Sequence, residues 1–149
     1  MDALTYAIAR SCEIKATVVA KDEREQNLRA ILNFGHTFGH AIEAATAYEV
    51  YLHGEAVALG MLIAAKFSHK AGLIDGAVSD RVRNILGKAG LPTDAPRVGA
   101  ARVQELMQMD KKVLGGAVRL VLLEKLGRAI VTTDYPQSAL DATLAEFFG

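Results

Sequence analysis

Two histidines four residues apart, His36 and His40, lie in the segment Asn33-Phe34-Gly35-His36-Thr37-Phe38-Gly39-His40, and a third, His53, follows in Leu52-His53-Gly54-Glu55. Neutral imidazole is a good zinc ligand, and a catalytic zinc keeps three protein ligands and an open position for water or substrate. Two histidines from separate helices supply two thirds of such a site, and a carboxylate completes it. A His-x-x-x-His pair alone is weak evidence, since it also arises by chance on helices that bind nothing. The protease version, His-Glu-x-x-His, does not apply, because Thr37 stands where that chemistry places its general base.

An α-helix brings positions i, i+3 and i+4 to one face. Arg29, Asn33, His36, His40 and Glu43 follow one another at steps of four, three, four and three, so one helix through them would carry all five on a single stripe. Phe34, Phe38, Ala41, Ile42 and Ala45 would occupy its buried side. The plain alternative is an amphipathic helix with a solvated polar face. Such a face recruits Lys, Glu and Gln, whereas Asn and His are poorer helix formers, and Gly35 and Gly39 each cost roughly 1 kcal/mol relative to Ala. Paired glycines at that cost predict the close approach of another backbone or of a ligand.

The elements that must position these residues are read from punctuation and period. Asp2 is placed to cap a first helix with an apolar stripe of Leu4, Ile8, Cys12, Val18 and Val19. Lys15 falls on that stripe, where it either snorkels to water or points into a polar site. Residues 22–27 read as a charged connection, the histidine helix follows, and 47–52 form the loop to a second, largely buried helix whose apolar run is 56–67. Gly72 ends that helix, 79–88 reads as another, 91–96 is a break around Pro92 and Pro96, and 100–109 is helical. The period then changes. Residues 118–123 and 129–132 are apolar, β-branched runs separated by Leu126-Gly127, which predicts a hairpin, and 137–148 reads as a closing helix. The fold class is mainly α, a multi-helix domain with a small β-hairpin near the C-terminus, organised as one unit over 1–149.

With 17 basic and 17 acidic residues the chain has zero formal net charge, so bulk charge favours neither a nucleic acid nor a membrane as partner. The run 56–67 is too short to span a bilayer. Cys12 is the single cysteine, which suits a reducing, cytoplasmic setting and a packing role, and the N-terminal residues are neither a basic nor a long apolar leader.

The ordered set Ser11-Cys12-Glu13-Ile14-Lys15-Ala16, Asp22-Glu23-Arg24-Glu25, the run from Leu28-Arg29 through Asn33, His36 and His40 to Glu43, and Leu52-His53-Gly54-Glu55-Ala56-Val57-Ala58 closely resembles 3-dehydroquinate synthase of the shikimate pathway. Met109-Asp110-Lys111-Lys112 and Leu126-Gly127 fit the same pattern. The resemblance covers nearly the whole chain and corresponds to that family's C-terminal helical domain. It places the family's N-terminal α/β domain, with its NAD-binding turn, outside these residues.

What the resemblance implies is specific. NAD transiently oxidises a secondary alcohol of a phosphorylated seven-carbon sugar acid, 3-deoxy-D-arabino-heptulosonate 7-phosphate; phosphate is eliminated, the ketone is reduced back and an aldol closes the ring of 3-dehydroquinate. A zinc or cobalt ion polarises the alcohol and the ketone. By motif, His36 and His53 match two metal ligands, the third being a Glu of an upstream segment; Glu43 and Glu55 are the carboxylates near in sequence but neither is an obvious replacement. Lys15, Arg29, Asn33 and His40 match substrate-contacting positions, with Lys15 and His40 also catalytic, and one of Lys111 and Lys112 adds a further cation for the phosphate and carboxylate. The isolated 149 residues are expected to be inactive and to associate, as a homodimer. Three other readings share parts of this pattern: a related sugar-phosphate cyclase, a metal-dependent alcohol dehydrogenase of the glycerol dehydrogenase type, and a non-catalytic helical module. The dehydrogenase has no need of the phosphate-binding cations.

Overall fold

The computed structural model describes residues 2–22, 28–112 and 118–149, with the side chains of 110–112 outside that description. The chain forms two compact units, Met1–Leu32 and Asn33–Gly149.

In the first unit, α1 (Ala3–Lys21) starts as expected, with the Asp2 carboxylate accepting the Thr5 N–H at 2.7 Å. None of its residues is buried. The expectation that Cys12 packs inside is therefore corrected: Cys12 is exposed, as are Leu4 and Ile8 of the same stripe, while Val18 and Val19 are half-buried. Among the described residues of this unit, α1 is the one α-helix, and no second one covers its apolar side. Residues 23–27 of the charged connection lie outside the described residues.

The second correction concerns the histidine segment. One continuous helix from Arg29 to Glu43 does not form; a 3-10 helix (Leu28–Asn33) ends first, Gly35 turns the chain at φ +84°, and α2 (His36–Ala45) begins only then. That backbone conformation is comfortable for glycine and strained for other residues. Of the five residues expected on one helix, His36, His40 and Glu43 share α2. Phe38, Ala41 and Ile42 are buried as expected, with Phe34 and Ala45 half-buried.

The centre of the second unit is α3 (His53–Lys70), whose Leu59, Leu62, Ile63, Ala64, Ala65 and Phe67 are almost wholly inaccessible. Each large aliphatic or aromatic side chain buried in this way contributes about 1.5–3 kcal/mol. Helices α2 and α3 run antiparallel: a side chain on Gly39 would meet the backbone of Ala56 and Val57 at 3.1 Å, and one on Gly60 would collide with the Gly35 carbonyl and lie 2.8 Å from the Gly39 nitrogen. The glycines are there for a backbone, as their cost suggested. The intervening loop carries Ala47 and Tyr48 at φ +55° and +61°, and it exposes Tyr48, Val50 and Leu52.

Around α3 pack α4 (Gly76–Lys88), capped by Asp75 three residues earlier than the expected start, α5 (Ala100–Lys112) and α6 (Gln137–Phe148). The expected hairpin is present, with β1 (Leu120–Lys125) pairing antiparallel to β2 (Arg128–Thr132) in the register Leu120 opposite Thr132, and Gly127 at φ +81° in the turn. Leu120 and Leu122 face the core. Ser68 ties the hairpin to α3: its hydroxyl donates to the Ala64 carbonyl at 2.7 Å and accepts the Leu123 N–H at 2.9 Å. Among the described residues no helix is long and apolar enough to cross a membrane.

Candidate metal centre

Helix α2 presents His36 and His40 one turn apart, and the antiparallel α3 starts at His53, beside the end of α2. Three imidazoles converge as a result. Ring centroids are 5.7 Å apart for His36 and His40, 5.6 Å for His36 and His53, and 5.9 Å for His40 and His53.

Glu43, one turn beyond His40 on α2, joins them. It is buried, and its Oε1 lies 3.1 Å from Nδ1 of His53, whose side chain is largely exposed. His40, Glu43 and His53 offer donor atoms within 4.8 Å of one another. Such a set of two imidazoles and a carboxylate is ordinary zinc chemistry. His36 is half-buried, and its Nδ1 is enclosed without a hydrogen-bond partner among the described residues, a costly arrangement unless some other group uses the lone pair or proton. Burial, joined by the neighbouring His40 and His53 rings, holds His36 below its ordinary value of 6.5 against the opposing influence of the Phe34 carbonyl and Glu43. Its imidazole is therefore neutral at pH 7, the form that binds a metal.

Glu55, the other nearby carboxylate, has a local job. Its Oε2 accepts the Leu52 N–H at 2.8 Å and closes the start of α3. The fourth histidine, His69, sits at the far end of α3 with Nδ1 donating to the Ile74 carbonyl at 3.1 Å.

The remaining residues singled out in the sequence are placed as follows. Lys15 is exposed on α1, and Arg29 is half-buried in the first unit, its backbone N–H donating to the Asp22 carboxylate at 2.9 Å. Asn33 is exposed at the end of the 3-10 helix. Lys111 and Lys112 end α5, and their side chains lie outside the described residues. The pairing of Glu43 with His53 was not anticipated. Its signal was a carboxylate at the edge of the buried side of α2, three residues after a histidine.

By fold and donor set, the class defined here is a helical domain equipped with divalent-metal donors. The chain belongs to the 3-dehydroquinate synthase C-terminal family, whose model matches residues 1–113. Its fold is also that of solved carbocycle-forming synthases. A 2-epi-5-epi-valiolone synthase from Streptomyces hygroscopicus subsp. jinggangensis 5008, solved with NAD+ and Zn2+ bound, superimposes with a TM-score of 0.82 at 25% identity over 96% of this chain. A 2-deoxy-scyllo-inosose synthase complexed with carbaglucose-6-phosphate, NAD+ and Co2+ gives 0.74 at 25% identity over 90%. A further 2-deoxy-scyllo-inosose synthase structure gives 0.73 at 25% identity over 90%. The chain spans 37–39% of the length of these relatives.

Proposed function

We propose that these residues are the metal- and substrate-holding half of a 3-dehydroquinate synthase, a carbon–oxygen lyase that converts 3-deoxy-D-arabino-heptulosonate 7-phosphate to 3-dehydroquinate and phosphate in aromatic amino-acid biosynthesis. The observation that carries this reading is the convergence of His36, His40 and His53 within the stretch that the family model matches.

In this reading His36 and His53 hold a zinc or cobalt ion, and the buried, unpartnered Nδ1 of His36 fits a site built for such an ion. When bound, the metal supplies Lewis-acid polarisation of the reacting alcohol and ketone, and NAD, held on a domain outside these residues, supplies reversible hydride acceptance. His40 meets the substrate and exchanges protons with it. Lys15, Arg29, Asn33 and one of Lys111 and Lys112 bind the phosphate and carboxylate through charge-assisted hydrogen bonds. The cytoplasm is the proposed location, in keeping with a lone thiol. A homodimer is the proposed assembly, supported by the exposed Leu4, Tyr6, Ile8 and Ile14 of α1.

A related sugar-phosphate cyclase is the second reading, favoured by the solved neighbours, one of which was crystallised with a hexose-phosphate analogue. Product analysis separates them. The protein carrying its nicotinamide-binding half is incubated with NAD, zinc or cobalt and either the heptulosonate phosphate or glucose 6-phosphate. Formation of 3-dehydroquinate from the first supports the proposal, and a carbocycle from glucose 6-phosphate alone replaces it with the second. These 149 residues by themselves should give no turnover with either.

A further inference from the structure

We infer that Glu43 is a positioning residue for the metal centre: its carboxylate holds the His53 imidazole with the proton on Nδ1 and so presents Nε2 to the divalent cation. The inference rests on the metal reading above and adds a residue to it.

Three observations support it. Glu43 is buried at 8% exposure, yet among the described residues its side chain has one hydrogen-bond partner, the His53 ring, at 3.1 Å. A buried carboxylate is stable only when its oxygens are satisfied, so the contact fixes where the ring's proton must be: Nδ1–H donates and the carboxylate accepts. That leaves Nε2 with its lone pair. Glu43 also stands on the same face of the same helix as His36 and His40, so one rigid element aims two imidazoles directly and a third through its partner. His53, with 59% of its side chain exposed, meets the His36 and His40 rings edge-on and stacked, and among the described residues Glu43 is the partner that hydrogen-bonds its ring. Carboxylate–histidine–metal relays of this kind set tautomer and ring orientation and raise the basicity of the ligand.

The competing arrangement makes Glu43 itself a ligand together with His40 and His53, whose donor atoms lie close enough. If His53 then bound through Nδ1, the ion would replace the hydrogen bond to Glu43, whereas binding through Nε2 leaves that bond in place. Glu55 cannot take over the positioning, since it is engaged at the start of α3.

The test uses protein with 15N-labelled histidine. Long-range 1H–15N spectra of the metal-free form should show His53 with Nδ1 protonated, and added zinc should perturb Nε2. In Glu43→Ala the tautomers should mix and the zinc dissociation constant should rise about 10–100-fold. Glu43→Gln keeps an acceptor oxygen, so it should retain the tautomer, most of the affinity and the position of the cobalt(II) absorption bands. Equal losses in both variants with altered cobalt bands, or zinc on Nδ1, would identify Glu43 as a ligand and overturn the inference. A lower melting temperature in Glu43→Ala with unchanged tautomer and affinity would overturn it in favour of a purely structural role. Absence of zinc and cobalt binding in the wild type, with the Nδ1–H tautomer intact, would instead strike the metal reading.

Discussion

Gly60 and Gly35 touch backbone to backbone: a methyl group on the first would collide with the carbonyl of the second. This contact sets how closely α2 and α3 approach, and therefore where the histidines at the start of each helix meet. Neither obstructing atom can rotate away, as the end of a long side chain would. Gly60→Ala should therefore lose about 1–3 kcal/mol through overpacking, outweighing the roughly 1 kcal/mol gained in helix propensity. Urea denaturation with zinc titration checks both effects. A more stable variant would mean that the helices separate without cost.

Metal binding should depend on histidines by position and not by number. His36→Ala and His53→Ala should each weaken zinc binding at least about tenfold, a loss typical even of outer-shell changes. His69→Ala is the internal control, because His69 is spent on the Ile74 carbonyl at the other end of α3. Calorimetric titration of the three variants decides; equal affinity in all of them would move the metal elsewhere.

Acid should weaken the junction of α3 and α6 through one carboxylate. Glu146 accepts from Lys70 at 2.9 Å and lies 3.6 Å from Lys66. Burial pushes its pKa up, but the two ammonium groups together outweigh burial and hold it below 4.5. A carboxyl group with a depressed folded-state pKa contributes stability that is present above its unfolded value and lost as pH falls through the folded one. Melting temperature should therefore drop as pH is lowered below 4.5, and the drop should be shallower in Glu146→Gln. Superimposable profiles would remove this ion pair from the account.

Arg29→Ala should separate binding from folding. A lost charge-assisted hydrogen bond to a substrate oxyanion costs about 1.5–3 kcal/mol, so KM should rise by one to two orders of magnitude on the scale of roughly 1.4 kcal/mol per tenfold change. The assay needs the protein with its nicotinamide-binding half. A marked fall in melting temperature with unchanged KM would assign Arg29 to the fold.

Much of this molecule is local in origin, and the sequence by itself determined it. The step of four between His36 and His40, the change from helical to alternating period before Leu120, and the Leu126-Gly127 turn all act within a few residues, where backbone sterics and side-chain periodicity suffice. The paired glycines foretold a close approach, although not that Gly60 would supply the other backbone. The tertiary structure decided what periodicity cannot express. A stripe counted through Gly35 assumed helical dihedrals that its φ of +84° denies, because packing against Gly60 and Met61 rewards a break there. The apolar side of α1 looked like a core face, but periodicity states which side could be buried and not whether anything covers it. Ala47 and Tyr48 adopt positive φ without any glycine or asparagine to announce it, at a cost of about 1–2 kcal/mol each, because the loop must return α3 along α2. The hydrogen bond from His53 to Glu43 spans ten residues and two helices, so only the packing of those helices could bring that proton and that carboxylate together.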